Sequence, residues 1–159
     1  ARFLKALYYF ELVKRYGGVP LVGDIPYELD DSIELPRNTF EECVDYIVGE
    51  LDNIKDSLRS APLANINDYG HVATAGAAMA LKARVLLYAA SPLFNQTPLV
   101  ANNPYIGYTE YKADRWKRAA DAAKQFMIQW GPEGTIKSYG LMDDYRDVFL
   151  QYYNARKYR

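Results

Sequence analysis

The segment ATAGAAMALKARVLLYAAS (73–91) places the tightest limit on what this chain can fold into. Thr74 is positioned to cap a helix, and Pro92 ends it, because proline offers no backbone N–H and clashes with the preceding turn. Between them Gly76, Ala77, Ala78, Ala80, Ala83, Ala89 and Ala90 leave little side-chain bulk, so neighbouring helices can approach closely on several sides. That is the demand made of an interior helix in a stacked helical array. The stretch nears membrane-spanning length, but Lys82 and Arg84 lie in its second half. Each such charge costs about 2.5 to 3.5 kcal/mol at a bilayer centre, more than alanines offset. The segment therefore reads as a buried helix of a globular fold. On this reading Ala83 faces a tight helix contact. Arg84 needs a carboxylate or helix C-terminal carbonyls, since an unpartnered buried guanidinium is prohibitive.

The rest of the chain supplies helices to pack on it. Residues 2–16 carry Phe3, Leu4, Leu7, Tyr8, Phe10, Leu12 and Val13, an apolar surface wider than one stripe, and Gly17, Gly18 and Pro20 stop the helix. Residues 19–25 are then extended. Thr39 and Glu42 have the spacing of a capping box, in which each side chain satisfies a free backbone N–H of the other's turn. Phe40, Val44, Ile47, Leu51, Ile54 and Leu58 follow at steps of three and four, predicting a helix over 40–58 whose buried face includes Cys43. A fourth helix over 114–130 carries Trp116, Ala119, Ala120, Ala123, Phe126 and Met127 before Gly131 and Pro132, and a short helix is expected over 143–149. The pattern predicts an all-α fold, a tetratricopeptide-like helical repeat scaffold with long inserted loops. The third and fourth helices are its best candidate repeat pair. Trp116, Ala119 and Ala123 are spaced like the opening of a repeat's second helix, with about twenty residues in place of a short turn.

Composition and motifs narrow the function. Lys and Arg total 19 against 20 Asp and Glu, so no positive field exists to draw nucleic acid. Cys43 is the single cysteine, without a partner for an internal disulfide or a metal cluster, and reads as a small core residue. His71, the single histidine, sits just before a helix start and reads as solvent-facing or cap-supporting rather than proton-transferring. Asp30 with Asp31, Glu41 with Glu42, and Asp143 with Asp144 are adjacent in sequence, so their side chains diverge, whereas paired acid and base work needs convergent carboxylates. No nucleophile motif, phosphate-binding glycine loop or calcium-loop spacing occurs. The expectation is no catalytic residue, no metal and no cofactor.

Tyrosine is the conspicuous residue, with 15 copies. Tyr8, Tyr9, Tyr16 and Tyr88 fall inside helices and are expected to pack. The inserted loop differs, for NQTPLVANNPYIGYTEY (95–111) sets Tyr105, Tyr108 and Tyr111 among Asn95, Gln96, Asn102 and Asn103. Aromatic rings offer flat apolar faces suited to sugar rings, and amides that both donate and accept suit hydroxyl recognition. Tyr105, Tyr108, Tyr111, Asn102 and Asn103 are therefore the candidate ligand-binding residues, against the alternative of ordinary surface packing.

Four passages together resemble the SusD/RagB family of Bacteroidota outer-membrane proteins. They are ARFLKALYYFELVKRYGGVPLV (1–22), PRNTFEECVDYIVGELDNI (36–54), ATAGAAMALKARVLLYAASPLFN (73–95) and WKRAADAAKQF (116–126). They come in the family's order with similar spacing and cover nearly all of the chain up to about residue 149. The resemblance implies a lipoprotein on the outer face of the outer membrane, built on tetratricopeptide-like helices. Such a protein caps a TonB-dependent, SusC-like transporter and captures oligosaccharides, or in some members peptides, for import. The chain starts already inside a helical pattern, so residues 1–159 are expected to be the helical-repeat portion of a larger protein, with any targeting peptide and the family's lipidated cysteine upstream. Cys43, inside a helix, does not match that cysteine. No binding residue carries over by motif, because the family's ligand contacts vary and come largely from loops outside these passages. The tail QYYNARKYR (151–159) departs from the pattern expected after DDYRDVF.

Three functions compete on these grounds. The first is a glycan-binding accessory protein of an import system, touching membrane only through a lipid anchor outside this chain. The second is a helical-repeat adaptor for a protein partner, which requires an open groove lined by helix residues. The third, an α-helical glycan-degrading enzyme, requires convergent carboxylates.

Overall fold

The structure, a computed structural model, describes residues 1–60, 72–96, 100, 102–137, 139–141 and 143–146. Among them lie four α-helices: α1 (Arg2–Tyr16), α2 (Phe40–Ile54), α3 (Ala75–Ala90) and α4 (Asp114–Trp130). All four stand where the periodicity puts them. α2 starts at its capping box, with the Thr39 hydroxyl accepting from the Glu42 N–H at 3.2 Å and the Glu42 carboxylate accepting from the Thr39 N–H at 2.8 Å. Its far end tightens into a 3-10 turn over Lys55–Ser57 instead of running to residue 58, a common way to satisfy the free carbonyls of a helix end. α3 is capped by Thr74, whose hydroxyl accepts from the Ala77 N–H at 3.1 Å. The expected helix over 143–149 does not begin: residues 143–146 form bends and a turn, and 147–149 lie outside the described residues. Asp144 accepts the Arg146 N–H at 2.8 Å, a local bond that competes with a helical turn. His71 and the tail 151–159 also lie outside the described residues.

Consecutive helices run antiparallel. Arg2 and Lys5 at the start of α1 reach Glu50 near the end of α2, at 3.7 and 3.3 Å. Phe40, the first residue of α2, stacks on Phe94 just beyond α3, with ring centroids 4.6 Å apart. Arg115 at the start of α4 bonds Asn95 beyond α3 at 2.8 Å. α3 is the central element, packed on α2 and α4 and touching α1. Ala78, Ala89 and Ala90 are buried there, and their small size is what lets the neighbours close in, while Ala83 is half-buried at the core's margin.

Arg84 departs from expectation. It is exposed and makes no ion pair among the described residues, because the face of α3 that also carries Ala80 and Leu87 is open to solvent. The cation that needs a partner is Lys82, which is 15% exposed and held by both carboxylate oxygens of Asp52 at 2.7 and 2.8 Å. α4 also turns differently from the expected repeat spacing. It buries Ala119, Ala122 and Trp130 with Phe126 between them, whereas Ala123 is exposed, since an inward line at steps of three, four and four leaves position 123 on the outer face.

Cys43 is a core residue, as its place on the apolar face of α2 implied. Its thiol accepts from the Val19 N–H at 3.3 Å and donates to the Val19 carbonyl at 3.4 Å, and burial pushes the thiol pKa up. From Val19 the chain runs back along α1. The Tyr9 hydroxyl accepts the Val22 N–H at 2.9 Å, and Asp24 bridges Lys5 and Arg2.

This tie is expected to weaken in acid. The Lys5 hydrogen bond, helped by the Lys5 and Arg2 charges, holds the Asp24 carboxyl below the ordinary carboxylate range. A depressed carboxylate contributes stability that is present above its unfolded pKa and lost as pH falls through its folded value. The melting temperature is therefore expected to drop as pH falls below about 4, and Asp24→Asn should flatten that limb. An acid limb identical in the variant would assign the effect to Glu11 and Glu42, whose carboxyls are lowered by Lys14 and by the Thr39 backbone. No helix among the described residues is long and apolar enough to cross a membrane.

Candidate functional site

Two of the long connections, residues 17–39 and 91–113, meet at the bundle end where α1 and α3 finish and α2 and α4 begin. α1 stops at Gly17, which adopts φ +73° and donates to the Val13 carbonyl at 3.0 Å. The Gly18 N–H donates to the Tyr105 carbonyl at 2.6 Å, and the Phe40 N–H donates to the Pro104 carbonyl at 2.9 Å. Residues 104–105 thus satisfy a free donor at the start of α2 and cover the end of α1. The approach is possible only without a side chain at position 17, since a Cβ there would sit 2.1 Å from the Tyr105 oxygen. Arg37 donates to the Tyr16 and Gly18 carbonyls, setting a cation against the electronegative end of α1, and its guanidinium stands 5.4 Å from the Tyr105 ring centre.

A second set of bonds closes the base of the 91–113 loop. The Asn95 amide oxygen accepts from the Lys112 N–H at 3.0 Å and from Arg115 at 2.8 Å, while its NH2 donates to the Lys112 carbonyl at 3.0 Å. Arg115 also donates to the Glu110 carbonyl at 2.7 Å and to the Glu41 carboxylate at 3.3 Å.

The structure separates the five candidate residues. Tyr108 is 5% exposed, with its ring edge-on to Phe40 at 5.1 Å and under the Arg115 guanidinium at 3.4 Å; burial raises its pKa to about 12. Its ring therefore belongs to the core and offers no free face to a ligand, which corrects the expectation of three stacking tyrosines. Tyr105 is 39% and Tyr111 58% exposed. Asn102 is exposed in a left-handed turn at φ 58°, a conformation asparagine tolerates. Asn103 is half-buried and accepts the Tyr105 N–H at 3.0 Å, so it shapes the turn that presents Tyr105. Arg115 and Arg37 have no role assigned by the sequence, and Asn95 stands there only among the loop's amides, yet all three fix this loop.

Clefts also lie elsewhere among the described residues. One of about 580 Å³ at the opposite end has Leu58, Met79, Trp130 and Ile136 beside Gln125 and Gln129. An apolar one of about 600 Å³ involves Phe3, Leu4, Ile54 and Ala77. A groove of about 380 Å³ between α2, α3 and α4 is charged, with Lys82, Lys117 and Arg118 among its lining residues. Its cations are already paired within the chain, to Asp52, Asp121 and Asp45. Among the described residues no group of three or more His, Cys, Asp or Glu could hold a metal ion.

The class these features define is an antiparallel all-α scaffold that brings two of its long connections together at one end of the bundle. Residues 1–87 match the SusD-like family described as starch-binding and associating with the outer membrane, and the chain belongs to that family. Among solved structures it is similar to BT4246, at 32% identity and a TM-score of 0.67 over 79% of this chain and 23% of that one. A selenomethionine form of BT4246 gives 32% and 0.61, over 79% and 22%. A SusD-like protein of Bacteroides fragilis, BF3747, gives 31% and 0.55, over 79% and 19%. The chain thus spans less than a quarter of the length of these solved proteins. No curated protein matches it.

Proposed function

We propose that this chain is the helical scaffold of a glycan-binding accessory protein at the cell-surface face of the outer membrane, capturing oligosaccharide for a TonB-dependent, SusC-like transporter. The observation that carries the reading is the match of residues 1–87 to a family described as starch-binding and associated with the outer membrane. The role is binding rather than catalysis, and the membrane is reached through a lipid anchor outside this chain. Ligand meets the loop end of the bundle, where Tyr105 and Tyr111 offer partly free rings and Asn102 and Asn103 offer amides. The adaptor reading lacks comparable support: the family description names starch binding, and the charged groove between α2, α3 and α4 has its cations engaged with the chain's own carboxylates.

Replacing Tyr105 and Tyr111 together by Ala removes two stacking surfaces, each worth about 1 kcal/mol by analogy with other aromatic contacts. Affinity for maltoheptaose should fall at least about tenfold, measured by titration calorimetry, with the helical circular-dichroism signal unchanged. Unaltered affinity in the double variant sinks the loop as the contact surface.

A further inference from the structure

We propose that Asn95 and Arg115 are positioning residues that hold residues 102–111 as a preformed recognition surface, so that ligand meets Tyr105 and Tyr111 already in place. The inference rests on the reading of this loop as the glycan-contacting surface. Asn95 is 1% exposed, and a buried amide is tolerable only when its groups are hydrogen-bonded. Here its oxygen accepts twice and its NH2 donates once, with both backbone groups of Lys112 among the partners. One side chain thereby ties the start of the loop to its end. The Arg115 side chain is 11% exposed and extends the tie to the Glu110 carbonyl and to Glu41 on α2. It also covers the Tyr108 ring, while the Tyr108 N–H donates to the Phe94 carbonyl at 3.0 Å. A loop closed in advance spares the ligand the entropy of ordering it, which is how preorganisation raises affinity. Asn95 is too deeply buried to touch ligand, so it acts through the loop alone.

The test compares the native chain with Asn95→Ala, Asn95→Asp and Arg115→Lys, by hydrogen exchange across the loop and by titration with maltoheptaose. Asn95→Ala should speed exchange of the described amides in 102–111 and weaken maltoheptaose binding by about tenfold each, while exchange in α1 and α2 stays as it was. Asn95→Asp keeps the accepting bonds but sets a carboxylate oxygen against the Lys112 carbonyl where the NH2 donated, so it too should speed loop exchange and weaken binding. Arg115→Lys keeps the charge without the fork and should shift both readouts in the same direction, which preserves the test if Asn95→Ala does not fold. Saturating maltoheptaose should restore slow loop exchange in the folded variants. Unchanged loop exchange overturns the proposal, as does faster exchange with native affinity, and that second result leaves the proposed function standing. A native chain that fails to bind maltoheptaose defeats the functional reading and this inference with it, and that result is read before any variant is made.

Discussion

Phe40→Ala is expected to lower the unfolding free energy by about 3 to 5 kcal/mol, the usual cost of deleting a fully buried ring. A chain of this size then melts about 10 °C lower. Phe40 is 0% exposed and joins three elements at once. It is the first residue of α2, it stacks on Phe94 beyond α3 at 4.6 Å and 12°, and it receives the edge of Tyr108 at 5.1 Å and 86°. Its loss leaves a cavity walled by two further rings, which cannot collapse without moving the loop that carries Tyr105. Phe40→Leu keeps most of the burial and loses only the ring geometry, about 1 to 3 kcal/mol for two aromatic pairs. Denaturant unfolding should show the midpoint falling with the slope unchanged, the sign of a stability effect rather than an altered unfolded state. A loss below about 1 kcal/mol for Phe40→Ala would mean that this junction is not tightly packed.

Phe40 also marks the boundary of what the sequence makes legible. The start of α2 is announced within four residues by Thr39 and Glu42, and its buried face by steps of three and four, so the helix follows from local signals. The alanines of α3 likewise announce close packing, and α3 is the element on which α2 and α4 close. Which side of α3 stays open is a different matter. Lys82 and Arg84 lie two positions apart in one apolar run, and only the placement of Asp52 on α2 decides that Lys82 is engaged while Arg84 faces solvent. The loop tyrosines raise the same difficulty. Tyr105, Tyr108 and Tyr111 share composition and spacing, but Tyr108 alone meets Phe40 and Arg115, neither of which is nearby in the loop's own pattern. Asn95 looked like one more polar loop residue, because nothing in its residue type distinguishes an amide that binds ligand from one that binds backbone. Of the family passages, those at 1–22 and 36–54 and most of 73–95 fall within the match over residues 1–87, whereas 116–126 lies beyond it.

Gly17→Ala should lower stability by about 2 to 5 kcal/mol from backbone strain and displacement combined. The residue sits at φ +73° and ψ −139°, a region that residues with a Cβ avoid, and its missing Cβ makes room for the Tyr105 carbonyl. Two other glycines separate these costs. Gly23 shares the positive φ, at +71°, but nothing lies within 4 Å of its would-be Cβ, so Gly23→Ala measures strain alone, about 1 to 3 kcal/mol. Gly49 lies inside α2 with open space beside it, and Gly49→Ala should gain up to about 1 kcal/mol from helix propensity. Thermal melts are expected to rank Gly49→Ala above the native chain, Gly23→Ala below it and Gly17→Ala lowest. Because the Tyr105 carbonyl accepts the Gly18 N–H, the displaced loop should also expose that amide to faster exchange in the Gly17 variant, but not in the Gly23 variant. Equal melting temperatures for Gly17→Ala and Gly23→Ala would show that the Tyr105 carbonyl yields without cost, and the loop would then have no fixed seat on the end of α1.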